Sequence, residues 1–226
     1  MAGIREPREP RGFLISFEGG EGAGKSTQIA RLEAKLGTEG HRVLTTREPG
    51  GSERAERIRS IILSGQSKDL GILGETVLFA AARRDHVQTL IAPALAEGRV
   101  VLCDRFVDST RVYQGAVGGI DASFLSALEA AATDGTMPGL TLVIDLPVAL
   151  GMERARMRRL GRGEEPDRFE AEGFDYHERV RAAFLANAAA EPGRCVVVSG
   201  EGDADEVAAS IWSVVEPRLP QGMGRR

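Results

Sequence analysis

Apolar residues fall along this chain in short runs that alternate with amphipathic stretches. Five runs read as strands: Phe13–Phe17, Arg42–Thr45, Val100–Cys103, Leu140–Ile144 and Cys195–Val198. They are apolar almost throughout rather than at every second position, as in strands covered on both faces. Between them, apolar residues recur at helical spacing. Ile29, Leu32 and Leu36 share one face, as do Val207, Ile211 and Val215. Helices are expected to start near Lys25, Glu53, Thr76, Ala122, Val148, Tyr176 and Asp203. This alternation implies an α/β fold with three layers, α/β/α, around a five-stranded parallel sheet. Residues 1–12 are polar and proline-bearing and read as a flexible N-terminal tail. Residues 13–215 read as a single domain, and 216–226 as a C-terminal tail.

The first strand runs into Gly19-Gly-Glu-Gly-Ala-Gly24-Lys25-Ser26, which fits the phosphate-binding loop G-x-x-x-x-G-K-[ST]. A strand before and a helix after are the context that this motif requires. The glycines let backbone N–H groups turn inward around a phosphate, and the helix N-terminus adds partial positive charge. Lys25 is placed to reach the outer phosphates, and the Ser26 hydroxyl to ligate Mg²⁺. The chain has 28 glycines, which favours chance matches, but only three lysines. Residue frequencies put a chance match at roughly half a per cent. Gly19, Gly20, Glu21, Gly22, Ala23, Gly24, Lys25, Ser26 and Thr27 are the expected ATP-binding residues.

Composition narrows the setting. A length of 226 residues, 42% of them hydrophobic, suits one α/β domain with a substantial core. A net charge of −4 argues against general binding to nucleic acid or membrane. No apolar run approaches a membrane span, residues 1–12 lack the core of a signal peptide, and a cytoplasmic location is expected. Cys103 and Cys195 lie in strand candidates and read as core residues of a reducing compartment. All but three of the 29 Lys and Arg residues are arginine, so an arginine cluster must stand out from a rich background.

In such sheets the ligand lies beyond the carboxyl ends of the strands. Asp104-Arg105 follows the third strand. Asp104 is placed to hold Mg²⁺ or its water shell, and Arg105 to grip a phosphate. Asp145, at the end of the fourth strand, is the rival metal candidate and ranks second because no arginine adjoins it. Thr46-Arg47-Glu48-Pro49-Gly50-Gly51 reads as a turn whose Arg47 faces either substrate or solvent. Phe79 and Arg83, four apart on a helix, could stack a base and grip its phosphate, or be core and solvated edge. His86 reads as structural. Tyr113 and Gln114 belong to a polar run, Asp108 to Gly115, that can line the same cleft, and the Gln114 amide can read a base edge. Arginines 154, 156, 158, 159, 162 and 168 exceed the background. With Gly161, Gly163 and Pro166 interrupting the helix, they suggest a mobile basic lid over about 154–168; the plain alternative is a solvated helix face paired with Glu153, Glu164 and Glu165.

Together these motifs resemble the thymidylate kinase family over roughly residues 13 to 215. They are Phe17-Glu-Gly-Gly-Glu-Gly-Ala-Gly-Lys-Ser26, Thr46-Arg-Glu-Pro-Gly-Gly51, Asp104-Arg105 with Asp108-Ser-Thr110, Tyr113-Gln-Gly115 and Asp167-Arg168. The resemblance implies a P-loop nucleoside-monophosphate kinase that makes dTDP from dTMP and ATP with Mg²⁺, in dTTP biosynthesis, as a homodimer. It implies that Phe79 stacks on thymine, Gln114 bonds the base edge and Tyr113 crowds the sugar 2′ position. Arg83 and Arg105 would hold the dTMP phosphate with Arg47 nearby, and Glu21 would lie by the sugar. Lys25, Arg105 and a lid arginine, Arg158 or Arg154, would act in catalysis, with Ser26 and Asp104 at the metal. The arginine-free phosphate loop and basic lid look like the bacterial form. Phe106, Ala82 and Gly118-Gly119 depart from residues often seen in the family. From the residues alone, a kinase for another (deoxy)nucleotide and a non-catalytic ATP-binding sensor stay open.

Overall fold

The computed structural model describes residues 12–163, 165 and 168–220. The expected N-terminal tail (apart from Gly12), Glu164, Pro166, Asp167 and residues 221–226 lie outside the described residues. Five strands form one parallel sheet: β1 (Phe13–Glu18), β2 (Val43–Arg47), β3 (Val100–Asp104), β4 (Leu140–Asp145) and β5 (Cys195–Ser199). Their order across the sheet is β2-β3-β1-β4-β5. β1 is therefore central, and the chain leaves it towards β2 on one side and reaches β4 on the other. That reversal opens a crevice at the carboxyl end of β1, where the phosphate loop begins.

The helices α1 (Lys25–Thr38) and α9 (Ala204–Val215) cover one face. Ile15 and Phe17 pack there against Ile29, Leu32, Leu36, Val207 and Ile211. On the other face, Leu14, Val101 and Cys103 meet Val87, Ile91 and Leu95, which follow α3 (Gly71–His86). Val143 of β4 packs against Val180 and Phe184 of α8 (Phe174–Ala190). The alternation of Leu14, Ile15 and Phe17 between faces, all buried, explains why β1 reads as an unbroken apolar run.

Element boundaries differ where glycine intervenes. α3 begins at Gly71 rather than near Thr76, because Gly71 and Gly74 in the first turn hide its start from a propensity reading. α3 passes through a π-helical segment, Val87–Ile91, into the short α4 (Ala92–Ala96). α2 (Glu53–Leu63) and α6 (Ala122–Thr133) start as expected, and Asp121 caps α6 by accepting from the Ser123 and Phe124 amides. α7 (Val148–Arg162) runs through Gly161 and stops at Gly163, whose φ is 65°. The interruption expected there comes two residues later than Gly161, since a lone glycine weakens a helix by only about 1 kcal/mol. Asp203 caps α9 in a capping box with Glu206. Leu219, past Val215, still packs on the core.

The polar run after β3 folds as α5 (Val107–Thr110) continued by a π-helical segment, Arg111–Val117. It is pinned by Asp108, whose side chain is fully buried. Both Arg194 Nη atoms donate to its carboxylate at 2.7 Å, as does Asn187 Nδ2 at 2.7 Å, and Thr141 Oγ1 donates at 3.0 Å. Burial alone would raise its pKa, but Arg194 and Asn187 outweigh this and hold the carboxyl below its usual range. The stabilisation it contributes is present above the ordinary aspartate pKa and lost as the pH falls through the depressed one. Asp108→Ala, which leaves Arg194 without this partner, should destabilise the fold by about 3–5 kcal/mol in urea unfolding; a loss under about 1 kcal/mol would contradict this role.

Candidate active site

The phosphate loop is shaped by what packs behind it. A side chain at Gly22, whose φ is 66°, would come within 2.0 Å of the Gly151 carbonyl oxygen. At Gly19 it would come within 2.4 Å of the Ile144 carbonyl oxygen. The loop therefore lies flat against β4 and α7, and only glycine permits that approach. Lys25 folds back over the loop and donates to the Gly19 carbonyl at 3.1 Å and the Gly20 carbonyl at 2.9 Å. Burial and the neighbouring Arg105 draw its pKa down to about 8, against the pull of Asp104 and Glu21. The negative charge of a bound phosphate would favour its charged form.

A cleft of about 500 Å³ opens from this loop. Glu21, Gly22, Ala23, Gly24, Lys25, Ser26 and Thr27 line its floor, while Gly19 and Gly20 lie behind it as the acceptors for Lys25. The residues expected to bind the acceptor, Arg47, Phe79, Arg83, Arg105, Tyr113 and Gln114, line the same cleft, and so do Asp104 and Arg158. Arg154 does not border it; its side chain turns to the Gly200 carbonyl at 3.1 Å. The Ser26 hydroxyl donates to Asp104 Oδ2 at 3.2 Å. Asp145, the rival, is engaged by Arg181 through two bonds of 2.7 and 3.0 Å.

Arg105 sits in a left-handed conformation, φ 69°, at the end of β3. Its amide bonds to the Phe17 carbonyl at 2.9 Å. Its guanidinium donates to Gly19 O at 3.3 Å and Ser109 Oγ at 3.2 Å, and lies 5.2 Å from the Tyr113 ring centre. Glu18 braces this turn from below. Its carboxyl accepts from the Phe106 amide at 2.7 Å and the Ser109 hydroxyl at 2.6 Å while fully buried. Arg83 is 4% exposed and donates to Glu48 Oε2 at 2.7 Å, and to Phe106 O and Thr110 Oγ1 at 3.0 Å. Phe106 is a core residue that also borders the cleft, with its ring 5.3 Å from the Arg83 guanidinium. Arg47 pairs with Glu56 at 3.2 Å at the cleft's edge.

The basic stretch divides into several environments. Arg158 reaches the phosphate loop, donating to Glu21 at 2.7 Å and Glu170 at 3.0 Å. Arg159 pairs with Glu170, and Arg156 with Glu153 on the solvent side, as a solvated face would have it. Arg168 bonds the buried Glu75 and Ser67. Burial works against the charge of Glu21, but Lys25, Arg158 and Arg105 hold its carboxyl down at about 2.

Ser109 and Thr110, from the polar run expected to line the cleft, do border it, while Glu48, Phe169, Glu170 and His177 are cleft residues that escaped the sequence reading. Phe169 meets Tyr113 edge-on at 6.0 Å. Glu18 enters the sequence reading only as a member of the motif from Phe17 to Ser26. A phosphate loop, a second arginine cluster across one cleft and a hydroxyl–carboxylate pair between them define a P-loop phosphotransferase.

The comparisons with known proteins narrow the class. The thymidylate kinase family profile matches residues 17–211. A thymidylate kinase of Caulobacter vibrioides is 51% identical over 209 residues, 92% of this chain and 98% of that protein. One of Bradyrhizobium sp. is 50% identical over 220 residues, 97% of this chain and 96% of its own length. The crystal structure of thymidylate kinase from Ehrlichia chaffeensis superposes with a TM-score of 0.69 at 30% identity, covering 90% of this chain and 98% of that one. The chain belongs to the thymidylate kinase family.

Burial and the nearby Asp108 push the Glu18 carboxyl up to about 8. An acid whose pKa rises on folding stabilises the fold fully below its unfolded pKa, and that contribution is lost as the pH rises through the folded one. Glu18→Gln should therefore gain on the parent by about 1 kcal/mol for each pH unit between roughly pH 5 and 8, and then level off, in chemical unfolding. A difference that does not change with pH would contradict it.

Proposed function

We propose that this chain transfers the γ-phosphoryl group of ATP to dTMP, giving dTDP and ADP. The observation that carries this is the span of Arg105, from the Gly19 carbonyl of the phosphate loop to the Tyr113 ring. It brings a donor site and an acceptor site to one point, an arrangement that a sensor of ATP alone does not need. Family membership over nearly the whole chain supports the same reading.

The acceptor is a phosphate oxygen that is already anionic, so no strong general base is required. The difficulty is to bring two polyanions together and to balance charge spread over a loose transition state. Lys25 and the loop amides hold the donor's outer phosphates. Arg105 and Arg83 hold the acceptor phosphate, with Arg47 at the entrance. Phe79 stacks on the base, Gln114 bonds its edge, and Tyr113, backed by Phe169 and Phe184, closes the space beside the sugar 2′ carbon. Arg158 is the lid arginine aimed at the transferring group; Arg154, turned to Gly200, steadies the loop after β5. Closure of the segment over about 154–168 would exclude water.

Magnesium suits the donors present. Ser26 and Asp104 offer one hydroxyl and one carboxylate, hard oxygens already within hydrogen-bonding distance of each other. Among the described residues no group of three or more His, Cys, Asp or Glu side chains is placed to hold a metal. One carboxylate supplemented by nucleotide phosphates and water is how Mg²⁺ is commonly held. When bound, it neutralises charge on the β- and γ-phosphates.

We also propose a homodimer. Leu70 (57% exposed), Leu73 (52%) and Val77 (45%), on or just before α3, are exposed, as are Ile61 on α2 and Phe124 on α6, the helices that pack on α3. A cluster of this kind fits a second copy of the chain. Sedimentation of the parent should give a dimer and of Leu73→Asp a monomer; a monomeric parent would contradict this surface.

ADP release with Mg·ATP should favour dTMP over the ribose form of TMP, dCMP and AMP. Arg105→Ala should raise the dTMP KM at least about tenfold with little change for ATP. Arg158→Ala should lower kcat about a hundredfold or more while leaving both KM values nearly unchanged. Activity confined to another monophosphate would contradict the base assignments, and an unchanged dTMP KM in Arg105→Ala would contradict the acceptor site.

A further inference from the structure

One arginine of the basic stretch turns inward, away from any phosphate. Arg168 Nη1 donates to Glu75 Oε2, and to Ser67 Oγ at 3.3 Å. The Ser67 hydroxyl donates to the same carboxylate oxygen at 3.2 Å. Glu75 is 2% exposed and Ser67 is fully buried. A carboxylate buried this far persists only when a cation and hydrogen bonds answer it. The three residues tie the chain between α7 and α8 to the start of α3. Glu75 stands four residues before Phe79, on the same side of that helix. None of the three is among the residues that line the cleft.

The next residue carries this anchor to the ligand space. Phe169 borders the cleft. Its ring centre lies 4.6 Å from the Arg168 guanidinium, and its ring meets Tyr113 at 6.0 Å with the two planes 66° apart. On its other contact Tyr113 meets Phe184 at 5.9 Å. Phe184 is a core residue of α8, so its place is set by helix packing. Phe169 stands in a turn, where no helical ladder holds it. Its orientation therefore depends on the cation it lies against, and that cation is held by Glu75.

We propose that Glu75 is a positioning residue for sugar selection: by holding Arg168 it sets the Phe169 ring against Tyr113, and so fixes the wall that admits deoxyribose and turns away ribose. Glu75 touches no substrate; it acts through two residues in series. Because Glu75 and Phe79 share α3, the base platform and the sugar wall are fastened to one helix and keep their spacing. The inference rests on the reading of Tyr113 as the neighbour of the sugar 2′ carbon.

Selectivity is measured as kcat/KM for dTMP divided by kcat/KM for the ribose form of TMP, in one preparation. The folded fraction cancels from this ratio, so a loss of stability alone leaves it unmoved. Glu75→Gln keeps the shape and removes the charge that holds Arg168. A wall that excludes one hydroxyl discriminates by about a hundredfold, and Glu75→Gln should give up about fivefold of this. The ATP KM should stay within about twofold of the parent, since the phosphate loop is untouched. Phe169→Leu should lower the ratio similarly, and in that background Glu75→Gln should add nothing further. An unchanged ratio in Glu75→Gln, or losses that add to those of Phe169→Leu, would overturn the inference; the sugar reading survives if Tyr113→Leu still lowers the ratio. A parent without preference for deoxyribose, or a Tyr113→Leu variant with the parent's ratio, would overturn the sugar reading and the inference together. Should Glu75→Gln fail to fold, Ser67→Ala removes the hydroxyl that joins Glu75 and Arg168. It should lower the ratio about twofold, and an unchanged ratio would overturn the inference.

Discussion

The site depends on cations held by fixed partners: carboxylates for Arg83 and Arg158, backbone carbonyls for Lys25, and the Gly19 carbonyl and Ser109 hydroxyl for Arg105. An isolated buried charge costs several kcal/mol, so such groups persist only when paired and hydrogen-bonded. Here Glu48 holds Arg83, Glu21 and Glu170 hold Arg158, and Glu18 braces the turn that carries Arg105. The cations are thus aimed before any phosphate arrives. Pre-set electrostatics of this kind need little reorganisation at the moment of reaction, which is where phosphoryl transfer obtains most of its acceleration.

The sheet order makes the convergence possible. β1 lies between β3 and β4, so Glu18, the phosphate loop and Arg105 issue from adjacent strand ends, with Phe17 level with Asp104 across the ladder. β2 brings Arg47 level with Asp104 on the other side. Glu48 follows directly and bonds through its amide to the Asp104 carbonyl at 2.9 Å. Three strand ends meet within a few residues, and the helical segment held by Asp108 adds Tyr113 and Gln114. The strain of φ 69° at Arg105 is supported from both sides, by the Phe17 carbonyl and through the Phe106 amide on Glu18.

Much of this was legible in the residues because its cause is local. The apolar runs mark the strands, and Gly19 to Ser26 carries its own chemistry in its spacing. The clusters at strand ends follow from the parallel sheet. What escaped depends on partners far away in the chain. Glu18 reads as the polar end of a strand until Phe106 and Ser109, 88 and 91 residues on, are seen to bond it. Glu48 and His86 read as turn and helix residues because their shared network joins two elements 38 residues apart. The division of the basic stretch was equally hidden: α7 continues through Gly161, and helix phase sends Arg158 to the phosphate loop and Arg156 to solvent. An arginine count records the cluster but not its directions.

The central claim is that converging cations recognise the acceptor by its phosphate, with the base and sugar contacts selecting among monophosphates. Calorimetric binding of dTMP beside thymidine, which differs only by that phosphate, tests it most directly. Two charge-assisted contacts predict that dTMP binds about a hundredfold more tightly at moderate salt, with the gap narrowing as salt rises. Equal affinities for the two would contradict the account, because the buried arginines would then be serving the fold and not the ligand.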